Sequence, residues 1–342
     1  MAGRAATRAG PVTRRYVQRL LSGDIPGDRR IVLTVNPLRS IILAAAGSDA
    51  VRKMITTAPG TRAMVDRFVA GESVDDAINA VAALAETGRY ATLDYLGEDT
   101  HDAAQAERIV QAYLTVLDRL HDAGLAAFAE VSVKLSALGQ RVSQRLAVDN
   151  AFRICAAAEQ CGTTVTVDME DHTTTDDTLD AVAELRKPWP DVGAVLQSYL
   201  LRTEDDVAAL AVPGSRVRLV KGAYAEPHNV AFSHSHDVDL AFVRCANALF
   251  AGGAYAMFGT HDPRLIELVR DRAAAHGVPR DGYEFQLLYG VRPDEQVRLS
   301  DAGQNVRVYV PYGEQWYGYL MRRLAERPAN TTFFLRSVVT RS

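Results

Sequence analysis

Residues 127–169 read AFAEVSVKLSALGQRVSQRLAVDNAFRICAAAEQCGTTVTVDM, and this stretch sets the pattern of the fold. Apolar and β-branched residues are concentrated at Ala127–Leu135 and again at Thr163–Met169, as is typical of buried strands. Between them, Gln144–Gln160 places apolar side chains at helical spacing. Two strands joined by a helix of this length predict one parallel strand–helix–strand unit.

The same unit repeats on both sides of this stretch. Further strands are predicted at Tyr90–Tyr95, Ala194–Tyr199, Arg216–Val220, Tyr255–Phe258, Tyr283–Leu287 and Val306–Val310. Helices are predicted at Ala103–His121, Asp176–Arg186, Asp237–Phe250, Pro263–His276 and Trp316–Arg327, with two shorter ones after Thr203 and Pro293. Eight such units over roughly 250 residues predict an α/β fold, a (βα)8 TIM-type barrel. The alternative is an open doubly wound sheet, but no Gly-x-Gly-x-x-Gly joins a first strand to its helix.

Residues 1–88 carry only helical patterns and predict an N-terminal helical arm, with the barrel occupying residues 89–342. Helices are expected around Tyr16–Leu21, Asn36–Ala46, Thr61–Ala70 and Ser73–Glu86. Ser73 is followed three residues later by Asp76, a variant of the capping box that starts a helix. The sequence does not indicate what the arm contacts.

The composition excludes several classes of protein. With 48% hydrophobic residues the chain can bury a sizeable core, and a net charge of −4 argues against nucleic-acid binding. No apolar run approaches the roughly 18 residues that span a bilayer, so at most peripheral membrane contact is expected, at its inner face. Three cysteines without a close motif are typical of a reducing cytoplasm, which is the expected location.

Polar residues stand at the predicted strand ends, where barrels of this type carry their active sites. Lys134, Asp168 and Arg218 are the charged residues that interrupt otherwise apolar strands or follow them. A buried arginine such as Arg218 requires a partner. For Lys134, a structural ion pair with Glu130 or Asp168 is the alternative to a catalytic role.

Asp168, Glu170 and His172 alternate at strand spacing, so all three side chains can face one side. Carboxylates and an imidazole on one face are a ligand set for a divalent metal. This pattern keeps open a metal-dependent barrel hydrolase or lyase.

Arg322 and Arg323 are adjacent on the last predicted helix. Facing a pocket, two guanidinium groups would bind a carboxylate or phosphate bidentately. The alternatives are a surface helix in which Arg322 pairs with Glu326, and a non-catalytic barrel that binds an anion through the two arginines.

Eight strings stand in chain order on the barrel elements: VSVKLSALG, VDMED, VLQSYLLR, VRLVKGAY, FGTHD, YEFQLLYG, YVPYG and YLMRRLAERPAN. Together they resemble the proline dehydrogenase family of flavoenzymes over roughly residues 90–330. Members fused to a second enzyme often carry a tryptophan after the Gly-Ala-Tyr triplet. Here Ala225 follows, which resembles the stand-alone, monofunctional type.

The resemblance implies a non-covalent FAD over the barrel mouth and L-proline bound against the flavin. The residues that resemble the family's substrate site are Lys134, Asp168, Tyr224, Leu288, Tyr309, Tyr319, Arg322 and Arg323. Among these, the two arginines and Lys134 correspond to the cations that bind the proline carboxylate. The residues that resemble the FAD contacts are Gln197, Arg218, Lys221, Ala223, Thr260, His261 and Glu326.

The resemblance also implies a reaction. L-proline would be oxidised to pyrroline-5-carboxylate by hydride transfer to flavin N5, the first step of proline catabolism to glutamate. A membrane quinone would reoxidise the flavin, and a separate pyrroline-5-carboxylate dehydrogenase would complete the conversion. A hydroxyproline oxidase is the closest alternative, because the two substrates differ by one hydroxyl group on the ring.

Overall fold

The computed structural model describes residues 61–97 and 100–326, apart from the side chains of residues 61–64, 322 and 324–326. The helices predicted around Tyr16–Leu21 and Asn36–Ala46 lie outside these residues. Within the described residues, two helices precede the first strand: α1 (Thr61–Phe68) and α2 (Val74–Ala85). The predicted division into an arm and a barrel at residue 88 stays a prediction.

Eight strands alternate with eight helices after α2. The strands are β1 (Tyr90–Tyr95), β2 (Ala129–Val133), β3 (Val165–Val167), β4 (Gly193–Gln197), β5 (Arg216–Val220), β6 (Tyr255–Gly259), β7 (Tyr283–Leu288) and β8 (Asn305–Tyr312). The helices are α3 (Ala103–Asp122), α4 (Gln144–Cys161), α5 (Thr175–Leu185), α6 (Thr203–Leu210), α7 (Ser235–Ala251), α8 (Pro263–Ala275), α9 (Pro293–Asp301) and α10 (Trp316–Glu326).

The strands close into a barrel. Each strand pairs in parallel with the next along the chain, and β8 returns to pair with β1 through six residue pairs from Tyr90–Arg307 to Tyr95–Tyr312. The predicted (βα)8 fold is therefore confirmed. The largest differences in bounds are at β2 and β3, which are each two residues shorter at both ends than the predicted Ala127–Leu135 and Thr163–Met169. The Asp168 N–H still donates to the Val133 carbonyl at 2.8 Å. Two residues later, the Glu170 carboxylate accepts from the Ser136 N–H, and the pairing of β3 with β2 does not continue.

The capping box predicted at Ser73 is present. The Ser73 hydroxyl accepts from the Asp76 N–H at 3.2 Å, and the Asp76 carboxylate accepts from the Ser73 N–H at 3.0 Å. The helix that starts here, α2, buries Ala77, Val81 and Leu84 in the same apolar cluster as residues of β1 and β8. It thus covers the seam where the barrel closes.

The barrel interior at its amino-terminal end holds a network of buried charges. Glu130 accepts from Arg216 at 2.7 Å and from Arg218 at 3.3 Å, while Arg307 donates to Glu284 at 2.9 Å. Burial alone would raise the pKa of Glu130, but Arg307, Arg216 and Arg218 hold it well below its ordinary value. Paired in this way, the charges can fill a barrel that branched apolar residues usually occupy.

The three cysteines are buried and free, in agreement with the absence of a disulfide framework. In the part of the chain that the structure describes, no helix combines the length and the apolar character needed to cross a membrane.

Candidate active site

A cavity of about 460 Å³ opens at the carboxyl ends of the strands. Each strand, or the residue directly after it, contributes at least one lining position, among them Asp94, Lys134, Asp168, Gln197, Arg218, Gly259, Gln286 and Tyr309. Helix α10 adds Tyr319 and Arg323. The closed barrel therefore brings together side chains that are far apart in the sequence.

The predicted site residues with described side chains all line this cavity. They are Lys134, Asp168, Gln197, Arg218, Lys221, Ala223, Tyr224, Thr260, His261, Leu288, Tyr309, Tyr319 and Arg323. The other two, Arg322 and Glu326, belong to α10, but their side chains lie outside the described residues. The structure thus shows where the residues are; their individual roles stay predictions.

A second cavity, of about 480 Å³, lies at the opposite end of the barrel, beside Thr163, Trp189 and Asp191. Its buried charged groups, Glu130 and Arg307, are already engaged in the interior ion-pair network. Because barrels of this type carry their chemistry at the carboxyl ends of the strands, the mouth cavity is the candidate active site.

Asp168 organises the floor of the mouth cavity. Its Oδ1 accepts from Arg218 Nη1 at 2.6 Å and from Ser132 Oγ at 2.7 Å, and its Oδ2 accepts from the Tyr309 hydroxyl at 2.5 Å. Burial alone would raise the pKa of Asp168, but Lys134 and Arg218 together hold it below its ordinary value. The residue is therefore an ionised carboxylate that fixes the positions of its neighbours.

Lys134 is held by the residues around it. Its Nζ donates to Asp94 Oδ1 at 2.8 Å and to the Tyr309 hydroxyl at 3.3 Å, and lies 3.4 Å from Asp168 Oδ2. Burial alone would lower the pKa of Lys134, but Asp94, Tyr309 and Asp168 hold it well above its ordinary value. Of the two ion pairs predicted for Lys134, the one with Asp168 is present. The one with Glu130 is wrong, because Glu130 binds arginines instead.

Asp94 was missed by the sequence analysis. Its side chain is buried on β1, and its contact with Lys134 crosses from the first strand to the second. The only signal was an aspartate inside the strand YATLDY, where burial would demand a cation.

Arg218 crosses the cavity floor between two carboxylates. Its guanidinium binds Asp168 and Glu130 and lies 5.5 Å from the centre of the Tyr309 ring. Its Nε atom, however, is buried and has no hydrogen-bond partner among the described residues. An unsatisfied buried donor costs about 1–3 kcal/mol, so a bound acceptor at this point would be favoured.

His261 lines the cavity after β6, and its ring is held by the neighbouring strand. The Leu288 N–H donates to His261 Nε2 at 2.9 Å. Because Nε2 accepts, the neutral ring carries its proton on Nδ1, which makes that atom a donor.

The loop after β5 forms another wall through Lys221, Ala223 and Tyr224. Between these residues, Gly222 has φ +113°, and a Cβ there would lie 2.2 Å from the Tyr199 ring. The Tyr199 hydroxyl donates to Glu226 at 3.0 Å, which ties the ring to the far side of the same loop. The loop path past Tyr199 therefore requires glycine.

Gly222→Ala is expected to destabilise the protein more than Gly214→Ala does. Gly214 also has a positive φ, of +79°, but a Cβ there meets nothing within 4 Å. The control should lose about 1 kcal/mol from backbone strain, and Gly222→Ala should lose ~1–3 kcal/mol more from the clash. Urea denaturation of the two variants measures the difference; equal losses would mean that Tyr199 does not constrain the loop.

Helix α10 closes the mouth with Tyr319 and Arg323. The Arg323 guanidinium carbon lies 5.1 Å from the centre of the Tyr319 ring. The buried face of α10 packs Leu320 and Met321 with Val65 and Phe68 of the α1 region. This packing fixes the helix on which the two predicted carboxylate-binding arginines are carried.

The metal-site interpretation of Asp168, Glu170 and His172 is wrong, because the three side chains diverge. Glu170 accepts from the Ser136 N–H at 3.0 Å and from its hydroxyl, whereas His172 pairs with Glu226. Within residues 61–97 and 100–326, no group of three or more histidines, cysteines or carboxylates is arranged to hold a metal ion.

Comparisons of the sequence with known proteins point to one family. The family model described as proline dehydrogenase matches residues 77–336. Proline dehydrogenase of Deinococcus radiodurans is 41% identical over 281 residues, which cover 81% of this chain and 90% of that protein. Proline dehydrogenase 1 of Bacillus subtilis (strain 168) is 35% identical over 302 residues, covering 88% of this chain and 99% of that protein.

Solved structures give the same fold. The crystal structure of proline utilization A (PutA) from Bdellovibrio bacteriovorus inactivated by N-propargylglycine matches with a TM-score of 0.73 at 22% identity. The match covers 92% of this chain and 40% of that longer chain, so the likeness shows the fold alone.

Proposed function

Because the chain belongs to the proline dehydrogenase family, we propose that it oxidises L-proline to pyrroline-5-carboxylate with FAD as its cofactor. The observation that carries this proposal is the mouth cavity, where Lys134, Arg218 and Arg323 meet the rings of Tyr309 and Tyr319. Cationic side chains can bind the carboxylate of proline, and aromatic side chains can pack against its apolar five-membered ring.

The residues around the cavity fit a flavin nucleotide. The buried Nε of Arg218 needs an acceptor, and the His261 ring lies at the cavity wall. We propose that FAD is held by these two residues together with Gln197, Lys221, Ala223, Thr260 and Glu326. When bound, the isoalloxazine ring supplies N5 as the acceptor of the hydride from proline.

For the substrate, we propose that Arg323 and Arg322 bind the proline carboxylate. Arg323 lies at the cavity wall beside Tyr319, so its guanidinium can offer two parallel N–H donors there. Lys134 adds positive charge from the floor, where Asp94 and Asp168 hold its Nζ. The walls around the five-membered ring are Tyr224, Leu288, Tyr309 and Tyr319.

The proline nitrogen must be neutral when the hydride leaves, because its lone pair forms the new double bond to carbon. Positive side chains near the substrate lower the pKa of the amine, which favours the neutral form. Burial, followed by the charge of Asp168, raises the pKa of Tyr309 well above its ordinary value. Tyr309 therefore stays protonated and acts as a donor to Asp168, not as a base.

An electron acceptor and a following enzyme complete the proposal. We propose that a membrane quinone takes the electrons and that contact with the membrane is peripheral, at its cytoplasmic face. A separate pyrroline-5-carboxylate dehydrogenase would then oxidise the product to glutamate, as the final step of this route.

A substrate comparison tests the proposed function. The purified protein is assayed with L-proline and with trans-4-hydroxy-L-proline, using an artificial electron acceptor and trapping the imine product. We expect L-proline to have the higher kcat/KM, because an added hydroxyl must lose its water and find room against the rings of Tyr309 and Tyr319. A higher value for hydroxyproline would assign the site to the hydroxylated substrate instead.

A further inference from the structure

Arg292 has an unusual backbone conformation. Its φ of 51° and ψ of 54° are left-handed, and it is the one non-glycine residue with positive φ among those the structure describes. Left-handed backbone is disfavoured for a long side chain, and the residue before a proline is pushed towards extended conformations. Arg292 precedes Pro293 and violates both preferences, and strain of this kind is concentrated at functional sites.

The strained conformation places the Arg292 side chain on the carbonyl of His261. Its Nη1 donates to that oxygen at 2.6 Å. Upstream, Gly290 lies so close to the backbone of α1 that an added Cβ would be 1.6 Å from the Arg67 carbonyl oxygen. The loop between β7 and α9 is therefore confined between α1 on one side and the His261 segment on the other.

His261 is held from two sides by this loop. Arg292 binds its carbonyl, and the Leu288 N–H binds ring atom Nε2 at 2.9 Å. In the next peptide, the Asp262 N–H donates to the Thr260 hydroxyl at 3.2 Å. With its backbone and Nε2 fixed, the ring is held in one orientation at the cavity wall.

We propose that Arg292 is a positioning residue for the cofactor: its strained backbone fixes the His261 segment at the cavity wall where FAD would bind. This inference rests on the proposed function, since it requires FAD in the mouth cavity. In the sequence, the pattern around Arg292 indicates only a short helix after Pro293 and no role for the arginine.

A purely structural role at the start of α9 explains less. The Arg292 side chain makes no capping hydrogen bond to α9, and its ion pair with Glu295 is long, at 3.7 Å. The short hydrogen bond of Arg292 is the one to the His261 carbonyl. A glycine at position 292 would adopt the same backbone conformation without strain. If stability were the purpose, the strain would work against it.

The experiment compares Arg292→Gly, Arg292→Lys and Arg280→Gly. Arg280 is a matched control because its Nη1 donates to the Ala302 carbonyl at 2.7 Å, before β8 and away from the mouth. FAD is removed from each purified full-length protein and titrated back, and thermal unfolding is measured without FAD. We expect Arg292→Gly to raise the FAD dissociation constant about tenfold, the effect of one well-placed hydrogen bond.

The FAD-free Arg292→Gly protein should melt at the wild-type temperature or above it, because glycine relieves the strain. Arg292→Lys should restore part of the affinity, and Arg280→Gly should bind FAD like the wild type. An unchanged dissociation constant in Arg292→Gly would overturn the inference. The inference would also be overturned if Arg292→Gly bound FAD more weakly and melted at a lower temperature, while Arg292→Lys restored none of the affinity. If the wild type itself binds no FAD, the proposed function fails, and this inference fails with it.

Discussion

Arg323→Ala is expected to lower kcat/KM for L-proline by about a hundredfold, or ~2.7 kcal/mol, mostly through a higher KM. The guanidinium lies at the cavity wall against Tyr319, on a helix whose buried face is packed against α1. Truncation removes a charge-assisted contact to the substrate carboxylate without leaving a void in the barrel core. Steady-state kinetics over a range of proline concentrations separates the effect on KM from the effect on kcat.

The matched control for this prediction is Arg119→Ala. Arg119 is half-exposed near the end of α3 and pairs with Asp75 at 2.6 Å, so its loss removes a positive charge far from the strand ends that form the mouth. The control should keep wild-type kinetics. Wild-type KM and kcat in Arg323→Ala would show that the carboxylate is bound elsewhere.

Arg218→Ala is expected to have the second large effect, on both cofactor binding and stability. The variant leaves Asp168 and Glu130 without one of their buried cations, which should destabilise the protein by about 3–5 kcal/mol. It also removes the Nε donor proposed to bind FAD. Any flavin that is retained should have a lower reduction potential, because a nearby cation stabilises the negative charge of the reduced ring.

Arg218→Lys separates these effects, because it keeps the positive charge and loses the planar fork of donors. The lysine variant should fold, bind FAD more weakly than the wild type and keep a potential close to the wild-type value. Flavin content and a redox titration measure both quantities. Wild-type flavin content and potential in the two variants would exclude Arg218 from the cofactor site.

The fold could be predicted from the sequence because barrel strands have a clear pattern. The strands of such a barrel are buried on both faces, by the helices outside and by the packed interior, so they appear in the sequence as short apolar runs. The observed bounds of β1 and β5 are those that this pattern predicts. The bounds of β3 were predicted too wide. There Met169 continues the apolar pattern of the strand, although β3 ends at Val167 and Asp168 and Met169 line the cavity.

The site was predictable where the resemblance supplied positions, and less so where side chains meet across strands. Glu130 lies in β2 and Lys134 directly follows it, so four residues of extended chain separate them by about 13 Å, which explains their different partners. Asp94 reaches Lys134 only because β1 and β2 are neighbours in the closed barrel. The conformation of Arg292 could not be predicted, since the dipeptide Arg-Pro favours extended backbone.

The absorption spectrum of the purified protein, recorded before and after L-proline is added without oxygen, tests the central claim most directly. The proposed function predicts the two-peaked spectrum of oxidised flavin and its bleaching by L-proline, which shows cofactor, substrate and electron transfer in one sample. A protein that shows no flavin, even after FAD has been added, would contradict the account, and so would a bound flavin that L-proline leaves oxidised.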